Sequence, residues 1–162
     1  MAIDISTEPR ITTLPPTTMA VTRTTGAPAG VAQIAISALY AAASAAGGPR
    51  GAVRARWLDP PAVPMARWRA VWALPVRDGV ESLPQVVPGV HVEVETWEYG
   101  QVAEILHVGP YITEDASVAR LRDHVENRGF ELAGPHEEEY LSPPGATEQR
   151  TMIRYAVVPA GA

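Results

Sequence analysis

The sequence predicts an α+β fold: two strand-helix-strand-strand repeats with pseudo-twofold symmetry around a central ligand cleft. Three observations predict it. A short word is written twice, "RARWLDPP" at 54–61 and "EEEYLSPP" at 137–144, each with an aromatic residue, Leu, a small polar residue and Pro-Pro; Leu58 and Leu141 are 83 residues apart. At that offset residues 10–76 lie on 93–159 without a gap, and Thr13 meets Thr96, Gly26 meets Gly109, Gly51 meets Gly134 and Arg67 meets Arg150, while Trp57 falls on Tyr140 and Trp72 on Tyr155. Glycines, prolines and large aromatics are hard to replace, because they supply backbone geometry or bulk. Overall identity is low, and chance similarity in an Ala-rich chain is the competing reading. Third, the hydrophobic period changes in the same order in both halves.

In the first half a strand is expected over about 10–25. The Ala-rich stretch "VAQIAISALYAAASAA" (31–46) reads as a helix that stops at Gly47-Gly48. Strands follow at about 52–58 and 65–75. In the second half 91–109 alternates and reads as strand. Residues 113–129 place Val118, Leu121 and Val125 on one helical face, with Gly129 as the stop. Strands at 130–141 and 147–158 are joined by a Ser-Pro-Pro-Gly turn. The domain reading is a flexible N-terminus at 1–9, a first repeat at 10–76, a linker at 77–92 and a second repeat at 93–159, with 10–159 forming one domain. Each half alone would cover its sheet on one face only; two halves close a core and leave a cleft where they meet.

Composition narrows the chemistry. The 162 residues contain no Cys, which excludes disulfides, thiolate metal sites and cysteine nucleophiles. The N-terminus lacks the basic and apolar regions of a signal peptide, and the Ala-rich run is too short and too weakly apolar to span a bilayer, so a cytoplasmic location and no membrane partner are expected. All 13 basic residues are Arg. Seven Arg face three acids in 1–76, whereas five Arg face thirteen acids in 93–159. An acidic chain without a basic cluster is a poor nucleic-acid binder, so no nucleic acid is expected as a partner. The histidines His91, His124 and His136 show no metal-ligand spacing and no acid cluster completes one, so neither a metal nor a cofactor is expected. The Ala-rich helix suits close pairing with a second copy, which leaves a homodimer open.

Alternation sorts the strand residues. Trp68, Ala70, Trp72 and Leu74 share one face; Arg67, Arg69, Val71 and Ala73 share the other. Likewise Thr151, Ile153, Tyr155 and Val157 oppose Arg150, Met152, Arg154 and Ala156. The Arg-bearing faces are expected to be the wetter ones. The Trp/Tyr faces are then either core or the wall of the cleft, and four Trp with one Phe is an odd choice for a plain core, since each indole N–H needs a partner. In "HEEEYL", Glu138 and Tyr140 share a face, opposite Glu137 and Glu139. A carboxylate among aromatics is paired, hydrogen-bonded or left for a cationic or polar ligand; the alternative is a solvated acidic strand edge. His107 either caps the turn at Gly109-Pro110 or contacts a ligand.

The second half resembles the GyrI-like small-molecule-binding domains, which also serve as effector-binding domains of multidrug-sensing bacterial transcription activators. The residues that carry the resemblance are His107, Gly109, Pro110 and Tyr111, then Gly129-Phe130-Glu131, Gly134-Pro135, and Glu138, Tyr140, Leu141, Ser142 and Pro144. It is specific over about 95–158 and fainter in the first half, where "ALY" (38–40) and "RWRAVWALPV" (67–76) look like a free-standing subgroup that includes hydrolases opening cyclopropane rings in DNA-alkylating natural products. The resemblance implies two strand-helix-strand-strand units around a cleft, a buried glutamate at Glu138, a companion at Tyr140, and ligand contacts from Trp57, Trp68, Trp72, Tyr155, Tyr111 and His107. The chain departs from the pattern at Glu137 and Glu139 and has shorter connections. The first expectation is a free-standing binder of hydrophobic, planar or cationic small molecules. The second is a metal-free hydrolase of a strained electrophile, in antibiotic self-resistance or biosynthesis, with Glu138 and Tyr140 catalytic. The third is a protein-interaction inhibitor module.

Overall fold

The structure is a computed structural model that describes residues 7–143 and 145–161. Pro144 of the second Pro-Pro pair and residues 1–6 of the N-terminal segment lie outside the described residues. The fold is α+β, with eight antiparallel strands and two α-helices: β1 Arg10–Leu14, β2 Thr17–Thr25, α1 Pro28–Ser44, β3 Arg54–Trp57, β4 Arg69–Pro75, β5 Glu93–Trp97, β6 Gly100–Val108, α2 Glu114–Glu126, β7 Phe130–Tyr140 and β8 Arg150–Pro159. Two compact units are present: Pro16–Glu98, and the chain up to Pro15 together with Tyr99 onward.

Each expected leading strand is two. Pro15 and Pro16 interrupt 10–25, because Pro has no N–H to give a ladder, and Gly100, at φ 63°, opens β6 after the break that ends β5. The broken strands part company. β1 pairs with β6 (Arg10 opposite Glu104, Leu14 opposite Gly100), and β5 pairs with β2 (Thr17 opposite Trp97, Val21 opposite Glu93). One unit therefore holds the strand order β1-β6-β8-β7, and the other β3-β4-β2-β5.

In the unit of β2, α1 begins at Pro28, three residues earlier than its apolar pattern suggests, since Pro is preorganised for a first helical turn. It ends where Gly47 and Gly48 take φ of 89° and 90°, and the Gly48 N–H closes on the Ala43 carbonyl at 2.9 Å. Its buried face is Ala35, Ala38, Leu39, Ala42 and Ala43. Small residues let the helix lie close on β2 and β4, with Leu39 the one large side chain inserted. In the other unit α2 presents Leu121 and Val125, as the spacing predicts, to Ala103, Ile105 and Ile153, with Ile11, Val118, Phe130, Tyr155 and Val157 around them. Among the described residues, no helix is long and apolar enough to cross a membrane.

The repeated word has a repeated geometry. The Leu58 N–H donates to the Arg69 carbonyl at 3.0 Å, and the Arg69 N–H returns to the Asp59 carboxylate at 2.7 Å. The Leu141 N–H donates to the Arg150 carbonyl at 3.0 Å, and the Arg150 N–H returns to Ser142 Oγ at 3.0 Å. The small polar residue before the prolines is thus the acceptor that closes each turn. Arg69 thus stands to Leu58 as Arg150 stands to Leu141. In the register that follows, Trp72 stands opposite Ala55 and Ile153 opposite Glu138.

Candidate functional site

Glu138 is 6% exposed, so "HEEEY" is not a solvated strand edge. β7 carries an irregularity between Ala133 and Glu137, after which it pairs regularly with β8. Alternation then sends His136, Glu138 and Tyr140 to the α2 side of the sheet, where Ile153 and Tyr155 also lie. The Tyr140 hydroxyl donates to Glu138 Oε1 at 2.7 Å, and His136 Nε2 sits 3.0 Å from Glu138 Oε2. His136 Nδ1 is 2.6 Å from the Tyr155 hydroxyl. The rings of His136 and Tyr155 meet edge to face at 5.4 Å, and Tyr111 meets Tyr140 in the same way at 6.1 Å.

Glu114, the first residue of α2, reaches the same place. Glu114, His136 and Glu138 each offer one donor atom within 4.8 Å of the others, a trio that could hold a metal ion. The expectation that no acids complete such a set around the histidines is thereby corrected. Here His136 and Glu138 spend those atoms on each other and on Tyr155 and Tyr140. Glu114 Oε1 is buried and meets no hydrogen-bond donor among the described residues.

Electrostatics divides the two carboxyls. Two carboxylates with oxygens within 4.8 Å of each other repel by at least about 3 kcal/mol at an effective dielectric constant of 20. The start of α2 favours an anion at Glu114 by only about 0.3–1 kcal/mol and offsets little of that repulsion. Burial would raise Glu138, but hydrogen bonds to His136, Glu114 and Tyr140 outweigh it and hold its pKa below the usual range. Glu114 is pushed up to about 9, by burial first and by Glu138 second. The hydroxyls respond in kind: burial foremost pushes Tyr155 up to about 12, and burial followed by Glu138 raises Tyr111.

On the other side of the sheet, Glu137 and Glu139 serve a different purpose. Register places Arg154 opposite both Glu104 and Glu137. Its guanidinium contacts Glu104 Oε2 at 2.9 Å, Glu137 Oε2 at 2.7 Å and Glu139 Oε1 at 3.0 Å. Arg10 binds the other oxygen of Glu104 through Nε at 2.8 Å, and the Tyr99 hydroxyl donates to Glu137 at 3.1 Å. Arg154 is 5% exposed, which overturns the expectation that the Arg-bearing face of this strand is wet. Three acids from two neighbouring strands compensate its charge, a cross-strand fact that reading along one strand misses.

His107 follows its capping alternative. Nδ1 bonds Ser117 Oγ at 2.7 Å, and Nε2 bonds the Pro110 carbonyl at 2.9 Å, which ties the turn at Gly109 to α2. The tryptophans lie in the other unit. Trp57 packs edge-on against Trp72 at 5.4 Å and Trp68 at 6.1 Å. Trp72 is 2% exposed and donates to Thr24 Oγ1 at 2.9 Å; Trp68 donates to the Val63 carbonyl at 2.6 Å. Trp72 is thus core. That unit also carries an open groove of about 380 Å³ beside α1, lined among others by Thr22, Ile34 and His91. Sequence reasoning missed Glu114 and His136. His136 lies two residues before Glu138, so strand periodicity could have found it; nothing in the sequence brings Glu114 to the site.

No family model and no curated protein sequence matches the chain. Solved structures do. An uncharacterized conserved protein from Listeria innocua is 21% identical with a TM-score of 0.81, covering 94% of this chain and 93% of that one. A hydrolase from Listeria innocua is 21% identical with a TM-score of 0.75, covering 94% and 92%. The C-terminal domain of EcmrR is 14% identical with a TM-score of 0.64, covering 94% and 98%. The chain shares the fold of these structures.

Proposed function

We propose that the chain binds hydrophobic, planar or cationic small molecules at Glu138. The observation that carries this reading is a buried carboxylate held ready by Tyr140 and His136, with Tyr111 and Tyr155 as aromatic neighbours. A carboxylate so placed attracts a cation more strongly than one in water, and tyrosine rings contribute stacking and cation–π attraction. Support also comes from the fold shared with the EcmrR C-terminal domain. The test is binding of ethidium, a planar monocation, by calorimetry. A charged hydrogen bond or ion pair contributes about 1.5–3 kcal/mol, so Glu138→Gln is expected to weaken binding roughly 10- to 100-fold. Binding unchanged by that substitution would refute the reading.

A second reading is favoured by the pairing of a carboxylate with a hydroxyl, and by the Listeria neighbour described as a hydrolase. Glu138 would take a proton from water as its oxygen bonds to the strained carbon of a cyclopropane. The ring C–C bond would break toward an electron-accepting oxygen stabilised by the Tyr140 hydroxyl and protonated on release. General base catalysis supplies at most about 10²–10⁴-fold, and a carboxylate held below its usual range is a weak base, so only a reactive substrate is accessible. Incubation with a cyclopropane-bearing alkylator would yield substrate plus one water, and Glu138→Gln would abolish the conversion.

We also propose that the chain is a duplicated unit, the expected strand-helix-strand-strand order with its leading strand broken in two. β1 and β2 recur as β5 and β6 83 residues on, Gly26 and Gly109 share φ of 138° and 128°, and both Pro-Pro turns close by the same pair of bonds.

A further inference from the structure

We propose that Glu114, His136 and Glu138 form a binding site for a divalent transition-metal ion, and that Zn²⁺ fits the set. The proposal stands on the geometry of the three side chains and does not rest on the small-molecule reading above.

Two elements bring the donors together. His136 and Glu138 share a face of β7, and Glu114 opens α2; one donor atom from each residue lies within 4.8 Å of the other two. Imidazole beside carboxylates suits zinc and its first-row neighbours, whereas Mg²⁺ and Ca²⁺ take oxygen ligands. The donor atoms are also aimed. The Tyr140 hydroxyl holds Glu138 by Oε1 at 2.7 Å, which turns Oε2 toward His136. The Tyr155 hydroxyl lies 2.6 Å from His136 Nδ1, which turns Nε2 toward Glu138. Metal ligands are oriented in this way, by outer partners on the far nitrogen of a histidine and the far oxygen of a carboxylate. Oε2 and Nε2 stand 3.0 Å apart, close to the roughly 3.4 Å that separates two ligands on one tetrahedral zinc ion. A cation between them replaces one hydrogen bond with two coordination bonds. Glu114 supplies an independent sign. Its Oε1 is buried and meets no hydrogen-bond donor among the described residues, and a buried polar atom in that condition calls for a partner; a cation beside the other two donors is one. Charge closes as well. Two carboxylates neutralise Zn²⁺, neutral His136 adds none, and the fourth tetrahedral position is left to water.

The test is titration of the chelator-treated full chain with ZnCl₂ alone, by calorimetry at pH 7, with the ¹⁵N resonances of the histidine rings followed in parallel. One Zn²⁺ per chain is expected, and of the four histidines the ring of His136 is expected to shift most. Glu114→Gln and His136→Ala are each expected to weaken binding at least about tenfold, and Tyr155→Phe, which removes the partner of Nδ1, about 10- to 100-fold. His91→Ala is the control: His91 is 71% exposed with Glu93 at 2.9 Å, and its loss is expected to leave the affinity unchanged. Absence of binding overturns the proposal. So does binding that survives Glu114→Gln and His136→Ala, or that is lost in His91→Ala, which marks an adventitious surface ion only. Circular dichroism checks each variant. If His136→Ala does not fold, the ring shift of His136 in the unaltered chain decides, and a ring that zinc leaves unmoved overturns the site. Ethidium plays no part in these measurements, so the failure of either reading is seen without the other.

Discussion

Replacing Arg154 by Met removes a charge and keeps most of the side-chain volume. The guanidinium is 5% exposed and meets three carboxylates between 2.7 and 3.0 Å. After the change Glu104, 1% exposed, retains Arg10, while Glu137, 3% exposed, retains the Tyr99 hydroxyl. Breaking a buried ion pair by removing one partner costs about 3–5 kcal/mol, because the surviving charge stays desolvated. For a chain of this length 1 kcal/mol moves the melting temperature by about 2–4 °C, which gives a fall of roughly 6–20 °C by circular dichroism at pH 7. Arg23→Met is the contrast. Arg23 pairs with Glu95 at 2.7 Å but is 55% exposed, so its removal costs about 0–1 kcal/mol. If the Arg154 variant lost no more than the Arg23 variant, the buried network would contribute no more than a surface pair and the reasoning would fail.

Leu39→Ala empties the one large insertion of α1 into its unit and is expected to cost about 2–5 kcal/mol, read from chemical denaturation. Glu114 carries a pKa raised to about 9, so the folded chain keeps a proton that the unfolded chain releases in the ordinary carboxylate range. Its contribution is full below that range and is lost as pH rises toward about 9. Glu114→Gln is accordingly expected to flatten the decline in stability between about pH 5 and 9; an unchanged slope would count against a buried neutral carboxyl.

How much could be read beforehand differs by element. The period of Val118, Leu121 and Val125 gave α2, because one apolar stripe at helical spacing suits a helix laid on a sheet and little else. The alternation of 136–140 gave the split of Glu138 and Tyr140 from Glu137 and Glu139. What alternation could not say is which face meets which partner. Arg154 looked destined for water because its own strand offers no acid; Glu104 and Glu137 arrive from the neighbouring strands on either side. Proline punctuation in 10–25 was visible, but the departure of β1 to pair with β6 depends on long-range register. Glu114 was invisible for a related reason, since only the docking of α2 on the sheet brings the first turn of that helix to Glu138.

Five consecutive residues of β7 answer to two masters, and this limits how the protein can diversify. Slipping the strand by one position would bring Glu137 or Glu139 to the tyrosines and carry Glu138 across to the arginine, spoiling chemistry and scaffold in the same stroke. Insertions or deletions here are barred, leaving change at this cluster to come from the helix start and the turn before it, where a changed side chain disturbs one role only.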